Sequence, residues 1–156
     1  MILTRNLMKF IKDPVHGYVE VEAELLPLLD SPPVQRLRHV KQLGFSCLVY
    51  PGANHTRFEH SLGTMHLATL LARHLALDPA DVLLIGAAGL LHDIGHGPFS
   101  HTSEAFLSEF AGHDHHQVDT LLTEPALASA LEEADLDPAA ISALIRGEHP
   151  LADLIH

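Results

Sequence analysis

The run Val82-Leu83-Leu84-Ile85-Gly86-Ala87-Ala88-Gly89-Leu90-Leu91, continued by His92-Asp93-Ile94-Gly95-His96-Gly97-Pro98-Phe99-Ser100-His101, decides the fold. The ten apolar positions from Val82 to Leu91 are too few to cross a bilayer. They suffice for a helix that is apolar nearly all round, and such a helix belongs in the middle of a core. Gly95-His96-Gly97-Pro98 predicts where it stops, because glycine and proline terminate helices. At or near that end the helix delivers His92 and Asp93, where its dipole is negative and a bare carboxylate is disfavoured. A cation beside Asp93 is therefore expected. His96 follows His92 at i+4 and shares its face if the helix persists that far. A lone His-Asp pair could equally bond to itself and cap the helix. With His96 and His101 added, the stretch reads as a site, for which a metal ion is a common partner.

Working outward, Asp78-Pro79 starts this central helix. Before it, Arg57 to Ala76 reads as a long helix with Leu62, Met65, Leu67, Leu70, Leu71 and Leu75 on its apolar side. Ser31 is expected to N-cap a helix in which Val34, Leu37, Val40 and Leu43 recur at three-residue spacing, ended by Gly44. Phe45 to Thr56 reads as a loop and Ala23 to Leu29 as a short helix. Residues 8–21 form an expected N-terminal hairpin, with Asp13-Pro14 and His16-Gly17 at its turn. Short helices over Ser100–Phe110, His115–Leu122, Pro125–Glu133 and Pro138–Arg146 complete an all-α bundle.

Composition narrows the function classes. At 47% hydrophobic and 19% charged residues, the 156-residue chain is not disordered and fits one domain. The single cysteine, Cys47, allows no intrachain disulfide, and residues 1–9 hold no apolar core of signal-peptide length, so a soluble cytoplasmic protein is expected. A net charge of −11 gives no strong nucleic-acid signal. Residues 1–60 hold seven Lys/Arg against six Asp/Glu, whereas residues 61–156 hold two against fourteen. Counter-charges for an anionic substrate must come from the first sixty residues or from a metal.

A second pole is Asn54-His55-Thr56-Arg57-Phe58-Glu59-His60-Ser61-Leu62-Gly63, preceded by Tyr50-Pro51-Gly52-Ala53. One helical turn there carries Arg57, suited to a phosphate oxygen, and His60, suited to a metal; a surface Arg57/Glu59 pair beside a stray histidine is the plainer alternative. Joined to His92-Asp93, to Asp13-Pro14-Val15-His16-Gly17 and to Gln35-Arg36-Leu37-Arg38-His39-Val40-Lys41-Gln42-Leu43-Gly44, this segment resembles the HD-domain metal-dependent phosphohydrolases, whose ligands follow the order H…HD…D. The resemblance is nearest to the deoxynucleoside triphosphate triphosphohydrolase branch related to the vertebrate sterile-alpha-motif and HD-domain enzyme, and it covers residues 9 to about 120.

The resemblance implies that His60, His92 and Asp93 hold one divalent metal ion, with Mn, Fe, Zn, Ni and Mg not distinguished by the donor set. It implies that Arg57 contacts a phosphate, that Gln42 and Leu43 touch the nucleotide sugar, and that His96, His101 and His115 are catalytic. His116 stands where the family has an acid, so either His115 or His116 could play that part; His113 to His116 could also be a plain solvated turn. Lys9, Asp30, Gln35 and Arg38 match a regulatory guanine-nucleotide site, or else serve packing. The implied partners are a nucleotide substrate and, among proteins, a second copy of the chain, with no membrane. The family's fourth ligand is an Asp in a later Asp-Arg-Leu-Asp-Tyr-like segment, which does not occur before His156; Asp153 matches in type but not in register. The expectation is one HD domain over residues 1–156, C-terminally truncated. Its expected activity is cleavage of a deoxynucleoside triphosphate to deoxynucleoside and triphosphate. A broader HD phosphomonoesterase or phosphodiesterase, or a non-catalytic metal- or nucleotide-binding domain, is the alternative.

Overall fold

The structure is a computed structural model that describes residues 8–99, 103, 106, 109, 110 and 118–155. It is helical apart from one hairpin. Strand β1 (Lys9–Asp13) pairs antiparallel with β2 (Gly17–Val21), Ile11 opposite Val19 and Asp13 opposite Gly17. Asp13 makes the turn: its Oδ1 accepts the Val15 and His16 amides, both at 2.8 Å, and Gly17 takes φ +79°. Val19 and Val21 alternate inward onto the helical core.

Seven α-helices follow among the described residues: α1 (Leu26–Leu29), α2 (Pro32–Arg36), α3 (Arg57–His74), α4 (Pro79–Leu91), α5 (Asp119–Leu122), α6 (Pro125–Glu133) and α7 (Pro138–Ile145). Helix α4 is the centre, as its apolar sequence demands, with Ile85 to Leu91 all buried. Helices α3 and α7 pack on it. No helix of the described residues is long and apolar enough to cross a membrane. His101, His115 and His116, with most of the helix expected over Ser100–Phe110, lie outside the described residues; of the helix expected over His115–Leu122, α5 covers Asp119–Leu122.

Three expectations need correction. Helix α2 ends at Arg36, passes through one 3-10 turn over Leu37–His39, and is extended by Val40. The chain is drawn off there by a remote partner: Lys41 bridges to Thr56, and the Val40 carbonyl accepts the Arg57 amide at 2.8 Å, satisfying a donor at the start of α3. Leu43 is thereby left exposed rather than on an apolar stripe. Ser31 occupies the N-cap position, yet its hydroxyl donates to the Leu28 carbonyl instead of capping.

The third correction concerns α3, where Leu62 and Met65 are buried as expected but the later leucines are not. Leu67, Leu70, Leu71 and Leu75 are all exposed, while Phe58, Leu62, Met65, Ala68 and Ala72 face inward. Close approach to α4 explains this. A Cβ on Gly89 would lie 3.1 Å from Met65 Cα, so the contact face must be small. Met65→Ala is expected to cost about 2–5 kcal/mol in urea denaturation, against within about 0.5 kcal/mol for Leu71→Ala.

Candidate metal centre

The close, antiparallel pairing of α3 and α4 sets the start of one beside the end of the other. Thr56 caps α3 through a capping box, its hydroxyl accepting the Glu59 amide while Glu59 accepts the Thr56 amide. That cap fixes the first turn, which carries Arg57 and His60. Helix α4 ends at Leu91, four residues short of the glycines expected to stop it, with His92 as its C-cap. His92 to Gly95 then run as a turn, held by the Ile94 amide on the Leu91 carbonyl and the His96 amide on the Asp93 carbonyl, both at 3.1 Å.

Ligand atoms of His60, His92 and Asp93 all lie within 4.8 Å of one another. The Nε2 atoms of His60 and His92 approach to 3.2 Å, and Asp93 Oδ2 lies 3.7 Å from His60 Nε2. His92 Nδ1 sits 2.8 Å from the Gly89 carbonyl, which can accept only if that nitrogen carries the proton. The tautomer is thus set: His92 Nε2 turns a lone pair toward His60 and Asp93. A carbonyl behind the ring is the arrangement that orients metal-bound histidines. Two imidazole edges converging beside a carboxylate suit a divalent ion, so the residues fit the group.

Asp93 is the hub. Its Oδ2 accepts from Arg57 Nη1 at 2.7 Å, and its Oδ1 lies 3.4 Å from both His92 Nε2 and His96 Nε2. Burial by itself pushes the carboxyl's pKa up; His92, Arg57 and His96, with the Arg57 hydrogen bond, outweigh it and hold the pKa below its ordinary value. The cation expected beside Asp93 is present in the protein itself. Arg57 stands at the positive end of α3, next to the negative end of α4. Its side chain is 1% exposed and committed to Asp93, a partner that sequence spacing did not suggest.

The His60 pKa is lowered, first by burial and then by His92, Arg57 and His55, against the opposing pull of Asp93. In the metal-free protein its NMR titration is expected below the ordinary 6.5. The unfolded chain then takes up the proton first, so stability falls as pH drops through 6.5 and levels off below the folded pKa.

His96 is buried against Asp93, meeting that carboxylate rather than sharing a helical face with His92. Gln42 and Leu43 lie on the segment bridged to the α3 cap, the Gln42 amide donating to the His55 carbonyl at 3.2 Å. Gln42 Oε1 is buried and has no hydrogen-bond partner among the described residues. The regulatory candidates meet in two pairs: Lys9 Nζ is 3.9 Å from Asp30, and Arg38 Nε donates to Gln35 Oε1 at 2.8 Å while its guanidinium stacks 3.6 Å above Phe58. A cavity of about 590 Å³ opens on the His60 side, lined in part by His16, Asn54, His55 and Glu59. Its wall residues His16 and Asn54 belong to the motif blocks that the sequence joined to this site, although no role was expected of either side chain.

The model of the HD domain matches residues 57–153, which include every described residue of this centre. The chain belongs to the HD-domain family. HD domains bind a divalent metal ion, and His60, His92 and Asp93 are the residues here that could hold one. Among known relatives, the human deoxynucleoside triphosphate triphosphohydrolase SAMHD1 is 50% identical over 103 residues, which is 62% of this chain and 16% of that protein. An uncharacterised protein of Methanocaldococcus jannaschii is 53% identical over 97 residues, covering 62% of this chain and 21% of its own length. A SAMHD1 homologue from Dictyostelium discoideum is 35% identical over 158 residues, 94% of this chain and 31% of that one. The crystal structure of a hypothetical protein from Aquifex aeolicus superposes with a TM-score of 0.77 at 39% identity, over 91% of this chain and 38% of that chain. This HD domain therefore spans between about a sixth and two fifths of the length of these relatives.

Proposed function

We propose that this HD domain carries the metal-binding core of a nucleotide phosphohydrolase whose substrate is a deoxynucleoside triphosphate. The observation that supports it best is the convergence of His60 Nε2, His92 Nε2 and the Asp93 carboxylate, with the His92 tautomer set by the Gly89 carbonyl. The 50% identity with a named deoxynucleoside triphosphate triphosphohydrolase over this region supports the substrate class.

A bound divalent ion polarises a phosphoryl oxygen and lowers the pKa of water. Asp93 supplies an ionised ligand, because Arg57 and the surrounding imidazoles keep its proton off. Arg57 balances that negative charge and adds positive potential where phosphate would sit. His96, buried beside Asp93, is assigned on the family resemblance to hold or pass a proton to the leaving 5′-oxygen. In the net reaction, water adds to the α-phosphorus and its bond to the 5′-oxygen breaks. The deoxynucleoside leaves carrying one of the water's protons, and triphosphate takes the hydroxyl. Gln42 and Leu43 are assigned to the sugar, and His101 and His115 to proton transfer, on the family resemblance; the same resemblance assigns Lys9, Asp30, Gln35 and Arg38 to regulation by nucleotide.

Incubation with each deoxynucleoside triphosphate and Mn²⁺ should release triphosphate and deoxynucleoside in equal amounts, and His92→Ala should release neither. Metal binding by the wild type without any triphosphate would refute the enzymatic reading for this chain. Release of orthophosphate from nucleoside monophosphates would favour a broader phosphomonoesterase.

A further inference from the structure

The turn that carries Asp93 and His96 is gripped from outside the site. Arg36, the last residue of α2, donates through Nη2 to the Ile94 carbonyl at 2.7 Å and through Nη1 to the His96 carbonyl at 2.9 Å. Those two carbonyls flank Gly95, the most freely rotating residue of the turn. One planar guanidinium therefore ties the Ile94–Gly95 peptide plane to the His96–Gly97 plane, across the Gly95–His96 pair. A single point charge could not do this with the same geometry.

The grip is itself anchored. Helix α2 is pinned to the end of α1 by Ser31 Oγ on the Leu28 carbonyl and Gln35 Nε2 on the Leu29 carbonyl, at 2.6 and 2.8 Å. Pro33, Val34 and Leu37 are buried around it. Arg36 lies in a small groove of about 200 Å³ with Pro32, Pro33, Ile94, Leu121 and Glu124. None of the three ligand residues His60, His92 and Asp93 lines that groove.

The geometry points to Arg36 as a positioning residue of the metal centre, whose two hydrogen bonds hold the Asp93–His96 turn so that the carboxylate and the buried imidazole meet at fixed distance. This rests on the metal-centre reading above and adds to it a residue that neither binds the ion nor touches a substrate. Loss of a group that orients metal ligands from behind commonly lowers metal affinity about ten- to hundredfold.

The test is titration with Co²⁺, read by its visible spectrum, on wild type, Arg36→Ala and Arg36→Lys. Circular dichroism checks that each is folded. Arg36→Ala should bind Co²⁺ about ten- to hundredfold more weakly. Low millimolar guanidinium should restore much of that affinity by refilling the cleft. Arg36→Lys keeps the charge near Glu124 and much of the stem packing but not the fork, and should stay weak; it also serves as the test variant if the alanine protein does not fold. Wild-type affinity in either variant, or a loss that guanidinium fails to restore in folded Arg36→Ala, would overturn the role of Arg36 alone. Failure of the wild type to bind Co²⁺ would remove the metal-centre reading and this inference with it.

Discussion

Asp93→Ala is expected to strip the domain of its metal and to destabilise it in the same step. The carboxylate is one of three ligands, and losing a group that merely orients a ligand already costs about ten- to hundredfold in affinity, so losing the ligand should cost more than about a hundredfold. The second effect comes from what stays behind. Arg57 is 1% exposed and bonded to Asp93 at 2.7 Å, and removing one partner of such a buried pair costs about 3–5 kcal/mol. The two effects separate in a double variant. Asp93→Ala combined with Arg57→Met should recover most of the stability in urea denaturation while binding no metal. Equal instability of the single and double variants would mean that the ion pair does not hold the site together.

Gly89→Ala should be nearly as harmful although it adds one methyl group. Its Cβ would meet Met65 Cα at 3.1 Å, Met65 N at 3.2 Å and the Thr64 carbonyl carbon at 3.3 Å, all backbone atoms that no rotamer change can clear. Helices α3 and α4 must then separate, at a cost of about 1–3 kcal/mol. Because α3 carries His60, α4 ends at His92, and Gly89 itself supplies the carbonyl behind His92, metal affinity should fall as well. Gly86→Ala is the control. Its nearest contact is the Thr69 hydroxyl at 2.9 Å, followed by side-chain carbons of Leu25 and Met65. Thr69 can turn away, and a helical Ala gains about 1 kcal/mol over Gly, so Gly86→Ala should be close to neutral. Thermal unfolding and Co²⁺ titration of both variants measure the contrast; a larger loss in Gly86→Ala would reverse the packing argument.

What the sequence revealed depended on the range of the interactions. Helix α6 runs over Pro125–Glu133 as expected, and α7 over Pro138–Ile145, one residue short, because proline at the first helical position and Asp137 as N-cap act locally. The central place of α4 followed from its apolar composition. The early end of α2 did not follow from its three-residue periodicity, because the bridge from Lys41 to Thr56 and the bond from Arg57 to Val40 join segments fifteen or more residues apart. The buried side of α3 was read correctly at Leu62 and Met65 but not beyond them: further along, Ala68 and Ala72 face inward and Leu67, Leu70, Leu71 and Leu75 lie outward. At the site, His60, His92 and Asp93 stood out by type and spacing. Arg36 did not, since nothing near it in sequence marks a grip on carbonyls 58 and 60 positions away.

The ion pair between Arg57 and Asp93 also bears on how the domain acquires its metal. A centre built only from ligands flies apart when the ion leaves, and small metal-dependent folds unfold on chelation. Here Asp93 keeps a buried guanidinium, His92 keeps its carbonyl, and the core around α4 is closed by hydrophobic packing. The residues that could hold the ion have partners of their own, so a chelator should leave the helix content nearly unchanged while lowering the unfolding temperature by the stabilisation the ion supplied. Such a domain can lose its ion and be reloaded without refolding.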